Sequence, residues 1–131
     1  MDWKESNQKI IAKEKPNPLQ FAWRGIQTAY IHERHIRIQF LSMVLVFLVA
    51  FLFKVTVTEW LFLILCVGGV LTAELLNTSI EAAVDLSTGG SYHELAKIAK
   101  DVAAGAVLII VIISVAVGTI IFVPYLLNLI H

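Results

Sequence analysis

Residues 60–85 read WLFLILCVGGVLTAELLNTSIEAAVD, and this stretch decides the fold. Its first 14 residues carry no charge, but they supply only ~21 Å of helix, whereas a membrane-spanning helix needs about 20 apolar residues. No residue breaks the helix before the run STGG at 87–90. The sequence therefore predicts a membrane helix over about residues 60–86, whose second half brings carboxylates into the cytoplasmic half of the bilayer.

Two further charge-free stretches flank this helix, at residues 38–53 and 102–130. The chain is 58% hydrophobic and 15% charged, with a mean hydropathy of +0.80. A soluble domain has nearer a quarter of its residues charged, so a water-soluble globule and a disordered chain are both excluded. The formal net charge of zero gives no basic field for nucleic acid. We predict an all-α membrane protein with three transmembrane helices, at about 37–54, 60–86 and 101–124.

The segment before the first span divides into two parts. Residues 1–18 are predicted to form a polar leader, and residues 19–131 a single membrane-embedded domain. From Leu19 onward, aromatic and aliphatic residues mix with arginines, which is typical of an amphipathic helix lying in the membrane interface. The alternative is a cytosolic helix that packs on the bundle.

The distribution of basic residues predicts the orientation. Seven Lys and Arg precede the first span, one lies between the first and second spans, and two lie between the second and third. Cytoplasmic loops carry the excess of Lys and Arg in membrane proteins. We therefore expect a multi-pass protein whose N-terminus and second connection are cytoplasmic.

A polar stripe follows the second half of the middle helix. Its members fall at i, i+3, i+4, i+7 and i+11 on one helical face: Glu74, Asn77, Thr78, Glu81 and Asp85. An ionisable group at the bilayer centre costs about 2.5–3.5 kcal/mol, and less near the interface. The stripe could hold helices together by hydrogen bonds, but three mutually repelling carboxylates favour a site that handles a metal ion or a proton.

Charged residues also mark the start of the third helix. Lys97 is explained by a role as a positive-inside anchor. Lys100 could be a second anchor of this kind, but together with Asp101 it is predicted to lie level with the lower part of the stripe. Glu33 is a further acid expected at this level. Carboxylates, a lysine and a base are the parts that phosphoryl transfer uses. From the residues alone, a metal-dependent membrane site and a proton-coupled carrier both stay open.

Two sequence motifs bear on the choice between these functions. AELLNTSIEAAVD at 73–85 and SYHELAKIAKDVAAGAVLI at 91–109 together resemble the signature of the prokaryotic diacylglycerol kinase family, which includes the undecaprenol kinases of Gram-positive bacteria. The resemblance covers residues 23–113, beginning with WRGIQTAYIHERHIR. It implies a homotrimeric kinase of the bacterial plasma membrane, with active sites shared between subunits. It also implies that the kinase uses ATP and Mg²⁺ to phosphorylate a lipid hydroxyl. Undecaprenol is the expected substrate, and diacylglycerol is the alternative.

The resemblance also implies roles for individual residues. Glu74 is the expected general base, and Glu33 and Glu81 are the expected Mg²⁺ ligands. The implied ATP-binding residues are Phe21, Glu33, Asn77, Glu81, Asp85, Tyr92, His93, Lys100 and Asp101. The implied lipid-binding residues are Trp23, Glu74 and Ala104.

The chain departs from the family pattern at three places. Ser91 stands where an acid commonly precedes the Tyr-His pair, and the loop before it is longer by one residue than in some members. Gln39 replaces an acid of the diacylglycerol kinase branch, and an upstream arginine has Lys13 or Lys15 as its nearest counterpart. Two other classes of function remain as alternatives: a proton-coupled transporter that uses Glu74 as its proton carrier, and a non-catalytic membrane scaffold.

Overall fold

The computed structural model describes residues 17–130. The predicted polar leader lies outside the described residues except at its last two positions, and so do Lys13 and Lys15. The described chain forms four helices: α1 (Pro18–His32), α2 (Arg34–Leu52), α3 (Val57–Thr88) and α4 (Glu94–Ile130). Helices α2, α3 and α4 are each long and apolar enough to cross a membrane. The predicted all-α class, with three candidate spans after an N-terminal helix, is confirmed.

Helix α1 ends at a one-residue break that the sequence did not predict. Asn17 caps its start by accepting a hydrogen bond from the backbone N–H of Leu19 at 3.2 Å. At the other end Glu33 adopts an extended conformation (φ −103°, ψ 118°) and is also the N-cap of α2. Tyr30 and Phe40 meet edge to face across the break, with ring centroids 5.4 Å apart. The break therefore coincides with a predicted site residue.

The connection from α2 to α3 is a tight turn built around Lys54. The backbone N–H of Val55 donates to the carbonyl of Ala50 at 3.2 Å, and that of Lys54 donates to the carbonyl of Phe51 at 3.1 Å. These are the two hydrogen bonds of a Schellman motif, in which the left-handed position is usually glycine. Here Lys54 occupies it, with φ 53°. Ala50 and Val55 are both buried, so the motif brings an apolar pair together.

Helix α3 is continuous through the carboxylates, as the length argument required. Thr56 and Glu59 form a reciprocal capping box at its start, and Gly89 ends it in a left-handed conformation with φ 58°. Its 32 residues correspond to ~48 Å. The helix is therefore longer than the predicted span of 60–86 at both ends.

Helices α3 and α4 form an antiparallel hairpin closed by a loop at residues 89–93. We call this end the loop end, and the opposite end, where α3 begins, the open end. At the open end the Tyr125 hydroxyl donates to Oε2 of Glu59 at 2.8 Å. Helix α4 passes through Pro124 and ends at Ile130, beyond the predicted limit of 124.

The hydrophobic core also lies at the open end. Its buried members are Ala50, Val55, Leu63 and Ile121, and aromatic side chains from three segments pack around them. Phe53 stacks on Tyr125 with ring centroids 5.8 Å apart. The polar stripe and its charged neighbours thus lie towards the loop end, away from this core.

Candidate active site

Burial along the polar stripe falls from Glu74 towards the loop end. Glu74 is 8% exposed and Asn77 is 7% exposed, and these are the buried polar residues within 17–130. One turn further Glu81 is half-buried, and Asp85 is exposed. The face predicted from spacing is therefore graded, with its interior end at Glu74 and its solvent end at Asp85.

The middle of the stripe is held by one side-chain hydrogen bond. The Nδ2 of Asn77 donates to Oε1 of Glu81 at 2.9 Å. The Oδ1 of Asn77 and the Oγ1 of Thr78 are enclosed and have no hydrogen-bond partner. Leaving such groups unpaired costs stability, and a functional role is one of the explanations for an unpaired buried group in a folded protein.

Glu74 differs from the other acids of the stripe because it has no partner in the described part of the chain. None of the side-chain hydrogen bonds and ion pairs within residues 17–130 involves it. Its carboxylate oxygens thus keep their capacity to accept a proton from a bound molecule. A buried, unpartnered carboxylate of this kind is suited to a general base.

A charged cleft lies at the loop end, between the last turn of α3, the loop and the first turns of α4. Its volume is ≈ 370 Å³. The polar side chains that define it include Asp85, Tyr92, His93, Lys97, Lys100 and Asp101. Five of these six were predicted from the sequence, and the fold brings them together around one cavity.

The charged cleft is lined by two ion pairs of unequal length. The Nζ of Lys100 lies 2.6 Å from Oδ1 of Asp85 and joins α4 to α3. The Nζ of Lys97 lies 3.9 Å from Oδ2 of Asp101, at the limit of an ion pair. Lys97 was predicted as an anchor only. Its position one turn before Lys100 on the same helical face was the signal that places it in the cleft.

The ring of His93 has a defined orientation in the charged cleft. Its Nδ1 accepts a hydrogen bond from the backbone N–H of Leu95 at 3.2 Å, so it satisfies one of the free N–H groups at the start of α4. This bond leaves Nε2 as the atom available to a ligand. Tyr92, which precedes it, is 82% exposed.

The remaining predicted residues lie outside the charged cleft. Glu33 lines a second cleft of ≈ 620 Å³ between α1 and α3, together with Thr78, and its Oε2 lies 3.3 Å from Nε2 of His35. Trp23 lines an aromatic groove on α1 with Tyr30. Phe21 and Ala104 are both exposed and do not line the charged cleft.

Two of the predicted carboxylates, Glu33 and Glu81, are of the donor type that Mg²⁺ uses. Within residues 17–130 there is no cluster of three or more His, Cys, Asp or Glu that could hold a metal by itself. Mg²⁺ is usually bound by one or two protein carboxylates together with substrate phosphates. Glu33 and Glu81 supply that donor type, and Glu81 keeps Oε2 outside its hydrogen bond with Asn77.

Comparison with known proteins identifies a single family. A family model described as prokaryotic diacylglycerol kinase matches residues 20–122. The chain is 44% identical over 110 residues to a diacylglycerol kinase of Synechocystis sp., covering 84% of this chain and 63% of that protein. It is 42% identical over 105 residues to an undecaprenol kinase of Bacillus subtilis, covering 80% and 85%. It is 37% identical over 95 residues to a diacylglycerol kinase of Escherichia coli, covering 72% and 77%. The match thus spans less than two thirds of the Synechocystis protein.

Proposed function

This chain belongs to the prokaryotic diacylglycerol kinase family, and we propose that it is an integral membrane lipid kinase that transfers the γ-phosphate of ATP to a lipid hydroxyl. The matched residues include the whole polar stripe and the charged cleft. One observation carries the proposal: a buried, unpartnered carboxylate, Glu74, lies on the same helix as an exposed charged cleft that begins at Asp85.

The depth of these two features suits one lipid substrate and one water-soluble substrate. If Trp60 marks the outer boundary of the hydrocarbon, Glu74 lies ~21 Å further along α3, about two thirds of the way across ~30 Å. A lipid hydroxyl lies at the boundary of acyl chains and headgroups, within reach of that depth. A nucleotide triphosphate is too polar for this layer, and the exposed charged cleft offers it lysines in contact with water.

We propose that Glu74 is the general base. Its carboxylate takes the proton of the lipid hydroxyl while the hydroxyl oxygen forms a bond to the γ-phosphorus. The bond from that phosphorus to the β–γ bridging oxygen breaks, and ADP leaves with the electron pair. The proton on Glu74 then passes to water, which restores the carboxylate.

The other site residues are proposed to bind and neutralise ATP. Lys100 supplies positive charge to the phosphates, and Asp85, Tyr92, His93 and Asp101 complete the nucleotide site. Asn77 orients Glu81 through the 2.9 Å hydrogen bond. Glu33 and Glu81 would hold Mg²⁺, which when bound offsets the charge of the phosphate oxygens. Phe21 is assigned to the nucleotide side of the site, and Trp23 and Ala104 to the lipid side.

We propose undecaprenol as the lipid substrate, with undecaprenyl phosphate as the product. The sequence KIAKDVAAGAV at 97–107 and the neutral Gln39 both resemble the Gram-positive branch of the family, and the match to the Bacillus subtilis undecaprenol kinase covers 85% of that protein. Diacylglycerol is the second candidate because relatives of similar identity are named diacylglycerol kinases.

The proposed setting is the plasma membrane of a bacterium, with a cytoplasmic N-terminus and a homotrimer that shares its active sites between subunits. The apolar faces of all three long helices support an environment of lipid and neighbouring helices. In the most apolar 18-residue stretch of α4, only 6% of the residues are buried within the chain itself.

The test is a parallel assay of both lipids. Purified protein in mixed micelles receives ATP, Mg²⁺ and either undecaprenol or diacylglycerol, and the phosphorylated lipid is measured. Faster phosphorylation of undecaprenol supports the proposal. Faster phosphorylation of diacylglycerol replaces the substrate, and no phosphorylation of either lipid overturns the kinase assignment.

A further inference from the structure

Lys97 is the one charged residue of the charged cleft that the proposed mechanism leaves without a task. Its side chain is 65% exposed, and its only ion pair in the described structure is the 3.9 Å contact with Asp101. By contrast, the ammonium of Lys100 is directed at Asp85 at 2.6 Å and is 36% exposed. The cleft therefore contains one lysine in a close ion pair, Lys100, and one lysine in a distant ion pair, Lys97.

We propose that Lys97 is a phosphate-binding residue of the nucleotide site, which exchanges Asp101 for a phosphate oxygen when Mg²⁺–ATP binds. The inference rests on the proposed kinase function and deepens it. An exposed i, i+4 ion pair is among the weakest interactions in a protein. At 3.9 Å the contact with Asp101 is too long for a hydrogen bond, whereas a phosphate oxygen in the cleft can accept a charge-assisted hydrogen bond from the ammonium, so the exchange is favourable.

The charge balance of the charged cleft supports this role. Its two lysines face two aspartates, Asp85 and Asp101, so the cleft has no spare positive charge as long as both ion pairs are closed. A triphosphate brings several negative charges that Lys100 alone cannot offset. Asp101 can release Lys97 at little cost, because its side chain is 67% exposed and water solvates it.

The position of Lys97 on α4 determines how far from Glu74 it can contact the nucleotide. It lies one helical turn from Lys100 towards the loop, on the same face of α4. The loop residues Ser91 and Tyr92 line the cleft beside it. Lys97 therefore binds further from Glu74 than Lys100 does, and its loss should weaken nucleotide binding without affecting the lipid.

The experiment measures equilibrium binding of Mg²⁺–ADP to the full chain in micelles. Lys97→Met is expected to raise the Kd about tenfold, and Lys97→Arg, which keeps the charge, should stay within about threefold. Lys54→Met is the matched control, because it removes one lysine from the α2–α3 turn at the open end. A thermal melt of each variant checks that it is folded, and Lys97→Gln replaces Lys97→Met if the methionine variant does not fold.

A second arm separates direct binding from an indirect effect through Asp101. If Lys97 acts only by neutralising Asp101, then Lys97→Met will have no effect in an Asp101→Asn background. If Lys97 binds phosphate, the loss of affinity will persist in that background. In steady-state assays with lipid, Lys97→Met should have a higher KM for ATP than the wild type and an unchanged KM for lipid.

The outcomes distinguish this inference from the kinase proposal. A Kd for Lys97→Met within twofold of wild type, or an effect that disappears in the Asp101→Asn background, overturns the role of Lys97 alone. A wild-type protein that binds no nucleotide overturns both. A persistent loss of affinity with an unchanged Lys54→Met control supports the proposal.

Discussion

The ammonium of Lys100 lies 2.6 Å from the carboxylate of Asp85, eleven residues along α3 from the buried Glu74. At 1.5 Å per residue this separates the ion pair from the proposed base by ~16 Å along the helix axis. In the described chain the ammonium of Lys100 is therefore held at the level of Asp85 and not at the level of Glu74. In the shared-site homotrimer proposed above, a neighbouring chain would supply one of the two groups.

The first prediction tests shared sites by mixing inactive subunits. Glu74→Gln and Lys100→Met are each expected to inactivate the enzyme, because one removes the base and the other the phosphate-facing charge. When the two variants are unfolded and reassembled at equal amounts, about a quarter of the interfaces will combine an intact Glu74 with an intact Lys100. Lipid phosphorylation should return to that fraction of the wild-type rate.

The control for this experiment mixes Glu74→Gln with a Glu74→Gln, Lys100→Met double variant. That mixture contains no intact base, so it should stay inactive. If the first mixture also stays inactive although both variants assemble normally, the sites are formed within single chains.

The second prediction concerns Glu74 as the general base. Glu74→Gln keeps the shape of the side chain, so the fold and nucleotide binding should be retained. The turnover rate should fall by about 10²-fold or more, the usual worth of a general base. The measurement is the steady-state rate together with the Kd for Mg²⁺–ADP, and a residual rate above about a tenth of wild type would remove Glu74 from this role.

Glu59→Gln is the matched control for Glu74→Gln. Glu59 is an acid on the same helix, but it lies at the open end and caps α3. Glutamine serves in a capping box as glutamate does. This variant should keep turnover close to the wild-type rate.

The third prediction concerns the close approach of α3 and α4 at Gly69. A Cβ atom added there would lie 3.2 Å from both Cγ1 and Cδ1 of Ile110, whereas one added at Gly68 meets nothing within 4 Å. Gly68→Ala should raise the free energy of unfolding by up to about 1 kcal/mol through helix propensity. Gly69→Ala should show less of this gain or a loss, measured as a Tm in detergent.

A second substitution checks the cause assigned to Gly69. Ile110→Val removes Cδ1, the end of the side chain that a new Cβ would meet. In this background Gly69→Ala should be less destabilising than in the wild type, because the pair is coupled. Purely additive effects would contradict the proposed contact.

The fourth prediction concerns backbone strain at Lys54. Its φ of 53° is in the left-handed region, which costs a non-glycine residue roughly 1 kcal/mol. Lys54→Gly should therefore raise the free energy of unfolding by several tenths to about 1 kcal/mol. Lys54→Ala keeps the strain and should give little change, so a gain in both variants would point to the lost charge rather than the backbone.

Part of the site could be predicted from the sequence because it lies on one helix. The spacing of Glu74, Asn77 and Glu81 fixed a shared face, and the shortness of the apolar run required that face to enter the membrane. Helical periodicity gives the shared face, and the thickness of the hydrocarbon gives its entry into the membrane. The pairing of Lys100 with Asp85 was foreseen as a shared level but not as a 2.6 Å contact, because the angle of the loop at 89–93 is a tertiary property.

Other features could be identified only from the folded chain. The break at Glu33 carries neither Gly nor Pro, so no local signal marked it. Helical spacing puts Lys97 on the same face of α4 as Lys100, but which face of α4 turns towards α3 is set by contacts such as the Gly69–Ile110 approach. A lysine in the Schellman position was also beyond local rules, since they favour glycine there.

The sequence by itself determined the class of protein and the face of α3 that carries the acids, because hydrocarbon thickness and helical pitch allow only one reading of a short apolar run that ends in carboxylates. The tertiary structure alone decided how deeply each acid is buried and which of them is paired. Burial and pairing depend on the packing of α1, α2 and α4 against α3, and that packing is settled by contacts between residues far apart in the chain.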